Sequence, residues 1–206
     1  MKQYFSQLFH TKRNLYVCNT VLAIQDLMKS TNLIEVFEGL SLSNEKGIYF
    51  INSSSEQEFY SYANLCLDAK TFAQNLNLNG VKYQDEIIFQ IDDLKGFVQL
   101  FWASILGGFI PVPLNSALNP ESRNKLSNVW NTLNNPTIVA SPNVIKTIYS
   151  KLNTNELRGF SESKIIDVNI LSVFSSSEFN SVKMNEDEIA LLQFSSGSTG
   201  APKGVK

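Results

Sequence analysis

The sequence predicts an α/β fold in which a mostly parallel sheet is flanked by helices. Short apolar runs at residues 85–91, 136–140 and 164–168 are rich in Ile, Val and Phe, which is typical of buried strands. Segments with the helical spacing of apolar residues follow the first two runs. Strands that alternate with helices of this length favour a parallel sheet with both faces covered.

Composition excludes several classes of protein. The 206 residues are 43% hydrophobic and 17% charged, as in ordinary globular proteins, and the net charge is −2. A nucleic-acid-binding protein would be expected to carry a basic excess. No apolar run reaches the roughly 20 residues of a membrane helix, and polar residues interrupt the N-terminus where a secretory signal would need an apolar stretch. We therefore expect a cytoplasmic protein without nucleic acid or a membrane span.

The first part of the chain predicts a helical extension at residues 1–31. Apolar residues recur at helical spacing over residues 14–29, and a second short helix is predicted over 33–40. We interpret both as amphipathic surface helices. A docking helix for a partner protein is the alternative interpretation.

A hairpin and a long helix are predicted next. Residues 47–52 and 58–61 have strand composition, and the serine-rich stretch 53–56 between them is typical of a turn. Residues 62–78 place apolar side chains along one helical face.

The helix that follows the first buried strand carries signals at both ends. Asp92 is expected to cap a helix over residues 94–106, because its side chain can accept a hydrogen bond from the first turn. The pair Gly107-Gly108 is expected to end that helix.

Prolines punctuate the rest of the alternation. The extended segment 109–114 contains two prolines, which disfavour a central position in the sheet. The pairs Asn119-Pro120 and Ser141-Pro142 each predict a helix start, with a capping side chain followed by a proline in the first turn.

The two cysteines, Cys18 and Cys66, lie far apart in apolar patterns. Buried free thiols are the preferred interpretation, and a single disulfide stays open as the alternative.

The chemistry is predicted in a glycine- and serine-rich loop after a predicted buried strand at residues 188–194. Glycines let successive backbone N–H groups turn towards an anion. Serine and threonine hydroxyls add donors, and a lysine adds a positive charge. The candidate phosphate-binding residues are Ser195, Ser196, Gly197, Ser198, Thr199, Gly200 and Lys203. From composition alone, a solvated loop without a ligand is an equal alternative.

This loop is not a Walker-type P-loop. That motif requires a glycine directly before the lysine and a hydroxyl directly after it. Here Pro202 precedes Lys203 and Gly204 follows it. A GTPase or Walker-type ATPase is therefore disfavoured.

The string FSSGSTGAPKGV, which begins at Phe194, resembles the phosphate-binding motif of the adenylate-forming superfamily. That superfamily includes acyl-CoA synthetases, fatty-acyl-AMP ligases, luciferases and the adenylation domains of nonribosomal peptide synthetases. Two weaker resemblances precede it in the same order, FYSYANL at residues 59–65 and WASILGGFIPVPL at residues 102–114. The resemblance covers about residues 32–206.

The resemblance implies an enzyme that activates a carboxylic acid with ATP and Mg²⁺. The acid would become an acyl-adenylate and would then pass to a thiol, on coenzyme A or on a phosphopantetheine carrier protein. The seven candidate residues would hold the β- and γ-phosphates, with direct side-chain contacts expected from Ser196, Ser198, Thr199 and Lys203. Residues 32–170 would form the first subdomain, and 171–206 a connection and the start of the second.

In this family the remaining machinery follows the loop, so we expect an N-terminal fragment that is inactive alone. No catalytic residue and no metal ligand is assigned within this chain. Two alternatives stay open: a non-catalytic module that binds a partner or carrier domain, and a structural domain with an inert loop.

Overall fold

The computed structural model describes residues 32–51, 56–117, 119–173, 179–185, 187–195 and 203–205. The helices are α1 (Leu33–Leu40), α2 (Tyr62–Leu78), α3 (Leu94–Gly107), α4 (Pro120–Thr132) and α5 (Pro142–Lys151). The strands are β1 (Gly47–Ile51), β2 (Gln57–Ser61), β3 (Glu86–Gln90), β4 (Ile110–Pro113), β5 (Thr137–Ala140), β6 (Ile165–Asp167), β7 (Gln193–Ser195) and β8 (Lys203–Val205). Three 3-10 helices are Thr154–Glu156, Glu162–Lys164 and Val168–Ser172. The predicted helix over residues 14–29 lies outside the described residues, as does Cys18.

The chain divides into two compact units, Met1–Cys66 and Leu67–Lys206. In the first unit, β1 and β2 form an antiparallel hairpin in which the rings of Tyr49 and Phe59 pair across the strands at 5.0 Å. Helix α1 begins after Asn32, whose side chain accepts a hydrogen bond from the first turn. Cys66 is buried with a free thiol, so the preferred interpretation is confirmed for this cysteine.

The second unit is built on a parallel sheet with the strand order β4-β3-β5-β6. The predicted α/β class is confirmed, and each strand of this sheet agrees with its predicted segment to within about two residues at either end. Within the four strands β4 lies at an edge, which is where its two prolines can be accommodated.

Helices cover both faces of this sheet. Ile88 of β3 packs in an apolar cluster with Val129 and Trp130 of α4 and Ile148 of α5. The neighbouring residue Phe89 points to the opposite face, because side chains alternate along a strand. There its ring meets that of Phe97 in α3 at 5.4 Å, edge to face.

One predicted cap is wrong by a single residue. Helix α3 begins after Asp93, whose side chain accepts from the Gly96 N–H at 2.6 Å, and not after Asp92. Asp92 instead bonds the hydroxyl of Ser141, which follows β5. Ser141 therefore precedes α5 as predicted but makes no side-chain cap; its hydroxyl oxygen accepts from the Asp92 N–H at 3.4 Å instead.

The predicted strand at residues 188–194 is largely wrong. Of this segment, Gln193 and Phe194 lie in a strand, β7 (Gln193–Ser195), which pairs with β8. Residues 188–192 are half-buried or exposed, and they do not form a strand with any part of the chain that the structure describes. The apolar run at 188–192 indicated a strand buried in a sheet. In the structure this segment contacts β4 through a hydrogen bond from the Leu192 N–H to the Pro111 carbonyl at 3.0 Å.

Candidate functional site

The two ends of the candidate loop meet in a short antiparallel hairpin. Strands β7 and β8 place Ser195 opposite Lys203, and Phe194 opposite Gly204. The backbones of the first and last candidate residues are therefore brought together. The candidates between them lie outside the described residues: Ser196, Gly197, Ser198, Thr199 and Gly200.

Phe194 anchors the hairpin in the apolar core of the second unit. Its side chain is 7% exposed and belongs to the same apolar cluster as Ile88, Leu126 and Trp130. Its ring also lies against Gly204, where an added Cβ would come within 3.3 Å of the ring. A residue directly before the first hydroxyl of the loop is thus part of the core.

Two hydrogen bonds add to this attachment. The Leu192 N–H donates to the Pro111 carbonyl at 3.0 Å, which joins the segment before β7 to the end strand β4. The Lys125 ammonium, on α4, donates to the Phe194 carbonyl at 3.0 Å. Apolar packing and two polar contacts therefore converge on residues 192–194, the root of the loop.

The segment before the hairpin is tied to the turn between α3 and β4. The Val182 N–H donates to the Leu106 carbonyl at 2.9 Å. The Tyr83 hydroxyl donates to the Glu188 carboxylate at 2.5 Å, and the Asn185 N–H donates to the same carboxylate at 2.6 Å. These contacts hold Val182, Asn185 and Glu188 beside the turn.

The Tyr83–Glu188 contact changes the pKa of both groups. Hydrogen bonding to the carboxylate, burial and the nearby negative charge raise the pKa of Tyr83 to about 12. The bonds from the Tyr83 hydroxyl and the Asn185 N–H lower the pKa of Glu188 below its ordinary value.

Gly108 is the residue that allows this packing. It ends α3 in the left-handed conformation, with φ of 67°. A Cβ there would lie 2.3 Å from the Tyr83 ring and 2.7 Å from the Val182 side chain. The prediction that the glycine pair ends this helix is confirmed.

The described residues contain neither a cluster of metal-binding side chains nor a membrane-spanning helix. Within the described ranges, no group of three or more His, Cys, Asp or Glu residues could hold a metal ion. No helix in that same part of the chain is long and apolar enough to cross a membrane.

Sequence reasoning did not single out Lys125, Tyr83 or Glu188. The contacts of Lys125 with Phe194 and of Tyr83 with Glu188 join residues 69 and 105 positions apart. No local pattern signals such pairs, because they depend on how the chain folds back on itself.

The chain is similar in sequence to parts of longer proteins of known function. It is 27% identical over 154 residues to microperfuranone synthase of Emericella nidulans, covering 70% of this chain and 15% of that protein. It is 26% identical over 154 residues to 4-coumarate:CoA ligase 1 of Petunia hybrida, covering 74% of this chain and 28% of that one. The chain thus spans less than a third of either relative.

A solved structure supports the same assignment. The structure of McyG A-PCP complexed with phenylalanyl-adenylate superimposes with a TM-score of 0.75 at 36% identity, covering 83% of this chain and 27% of that one. The sequence pattern of the family described as "AMP-binding enzyme" matches residues 44–206, which include the hairpin and its loop. The chain therefore belongs to the AMP-binding, adenylate-forming ligase family.

Proposed function

We propose that this chain supplies the phosphate-binding loop of an ATP-dependent ligase that activates a carboxylic acid as its acyl-adenylate. The observation that carries the proposal is the family motif at residues 194–204, set on a hairpin whose root is fixed in the core. Glycines, hydroxyls and a lysine suit the oxygens of a polyphosphate. A loop held at both ends can present these groups at low entropic cost.

In the proposed reaction, a carboxylate oxygen attacks the α-phosphorus of ATP. The bond from that phosphorus to the bridging oxygen breaks, and pyrophosphate leaves with the electron pair. The candidate loop residues would hold the β- and γ-phosphates and stabilise the charge of the leaving group. They are Ser195, Ser196, Gly197, Ser198, Thr199, Gly200 and Lys203. Mg²⁺, when bound, would neutralise part of the same charge.

We infer that the acid is a fatty, aryl or amino acid and that the acyl group passes to a thiol. The relatives support the aryl and amino acid classes, since one is a 4-coumarate:CoA ligase and another was solved with phenylalanyl-adenylate. Coenzyme A or a phosphopantetheine carrier would be the acceptor. The acid pocket and the catalytic lysine are proposed to lie in the part of the enzyme that this chain does not cover. We therefore expect this chain to be inactive alone. The enzyme is proposed to work in the cytoplasm.

The first test is binding of Mg-pyrophosphate to the purified chain by isothermal titration calorimetry. Lys203→Ala should weaken binding about tenfold or more, because it removes a charge-assisted contact. The matched control is Lys146→Ala, which removes an exposed lysine on α5. Equal affinity of the Lys203→Ala variant and the wild type, or no binding by the wild type, would count against the proposed loop function.

The second test measures ATP–pyrophosphate exchange by the native protein isolated from its own cells. A panel of fatty, aryl and amino acids should show acid-dependent exchange with one class. Pyrophosphate binding without exchange for any acid would favour the alternative, a non-catalytic module that engages a partner or carrier domain.

A further inference from the structure

We propose that Lys125 is a positioning residue for the phosphate-binding loop and acts by holding the carbonyl of Phe194. This inference rests on the proposed function and adds a residue outside the loop motif. Lys125 lies on α4, 69 positions before the carbonyl that it binds. Its ammonium donates to that carbonyl at 3.0 Å.

The lysine is held on a rigid element. Its neighbour Leu126 is 1% exposed, and Val129, one turn further along α4, is fully buried in the cluster that also contains Phe194. The backbone of α4 and the ring of Phe194 are therefore parts of one packed core. Lys125 itself is half-buried, so its bond to the carbonyl is partly shielded from water.

The carbonyl that accepts the bond from Lys125 lies in β7, next to the start of the loop. The Phe194 carbonyl belongs to the peptide unit that joins Phe194 to Ser195, so its direction sets where the loop leaves β7. The ring of Phe194 and the pairing with β8 fix the position of the strand. A charged donor on the carbonyl adds a further constraint on the rotation of this peptide, and such bonds are stronger than those between neutral groups.

The test uses the full 206-residue chain and two readouts, backbone amide hydrogen exchange at residues 193–195 and 203–205 and the Kd for Mg-pyrophosphate. Lys125→Met keeps the length of the side chain and removes the donor. We expect exchange at the hairpin to rise about tenfold and the Kd to rise by about five- to tenfold, which corresponds to the loss of one ordinary hydrogen bond. Lys125→Arg should restore most of both, since a guanidinium can donate to the same carbonyl.

Lys146→Met is the matched control, because it removes an exposed lysine from the neighbouring helix α5. Thermal unfolding of each variant separates loss of the hairpin from loss of the fold. If Lys125→Met does not fold, Lys125→Ala also removes the donor and keeps a residue that favours a helix.

The outcomes are distinct. Unchanged hydrogen exchange at the hairpin in the Lys125→Met variant overturns the proposal, even if pyrophosphate binds more weakly, since the lysine would then act by charge alone. Failure of Lys125→Arg to restore exchange also overturns it. If the wild type does not bind pyrophosphate, the proposed function fails, while the exchange measurement still decides whether Lys125 positions the hairpin.

Discussion

Replacement of Phe194 by alanine should unfold the root of the loop and destabilise the whole second unit. Phe194 is 7% exposed and packs with Ile88, Leu126 and Trp130, which lie on the sheet and on α4. Truncation of a buried phenylalanine to alanine costs about 3–5 kcal/mol, from lost burial and from the cavity that remains.

The surroundings of the ring place the expected loss near the lower end of that range. A cleft of about 500 Å³ borders Phe194, with Gln84, Thr132 and Gly204 also in its lining. Water can enter the vacated space from this cleft, so the cavity contribution should be small. A loss of about 3 kcal/mol lowers the Tm of a chain of this length by on the order of 10 °C.

Thermal unfolding followed by circular dichroism measures this change. The matched control is Val205→Thr in the same hairpin, because Val205 is 60% exposed and threonine keeps the β-branched shape. We expect the control to stay within about 0.5 kcal/mol of the wild type. If Phe194→Ala were as mild as the control, the hairpin would not be anchored in the core, and the proposed placement of the loop would fail.

Two further predictions concern polar contacts of the second unit. Glu86 is 4% exposed, and its carboxylate accepts from the backbone N–H groups of Asn134 and Asn135 at 3.1 and 2.9 Å. Glu86→Ala should lower the free energy of unfolding, measured in urea, by about 1–3 kcal/mol. Glu86→Gln should lower it less, because an acceptor stays in place. The phenol of Tyr83 should titrate at about 12, so its contribution to stability is complete below pH 10.0 and is lost as the pH rises towards 12. Glu188→Gln should return this pKa towards 10.0 in an NMR titration of the phenol carbon, and an unchanged value would show that the carboxylate is not the cause.

Much of the fold could be predicted because local patterns and tertiary packing agree. The strand at Glu86–Gln90 is buried on both faces, and its three middle residues, Ile87, Ile88 and Phe89, are accordingly all apolar. The helix start at Asn119 also follows from local chemistry, since its side chain accepts from the Ser122 N–H at 2.8 Å. The loop motif could be recognised because its residue order is long and specific.

The remaining features depend on contacts between distant parts of the chain. Asp92 and Asp93 are adjacent carboxylates with equal capping propensity, and the choice between them depends on the Ser141 hydroxyl, 49 positions away. The apolar run before Gln193 has strand composition, but a strand also needs a partner, and no strand among the described residues pairs with this run. In the sequence, Lys125 does not differ from other lysines on predicted helices. Its contact with Phe194 depends on the packing of α4 beside that residue.

The register of the hairpin gives a physical reason for two residues of the loop motif that carry no phosphate-binding group. Phe194 lies opposite Gly204, and the ring occupies the space in which a side chain at 204 would stand. Glycine to alanine in a strand ordinarily stabilises by about 0.5–1 kcal/mol. At Gly204 it should destabilise, because the new Cβ would lie 3.3 Å from a ring that the core prevents from moving. In the Phe194→Ala background the ring is absent, and Gly204→Ala should regain its ordinary stabilising effect. A double-mutant cycle by urea unfolding measures the coupling, and additive effects of the two substitutions would show that the aromatic–glycine pair has no packing role.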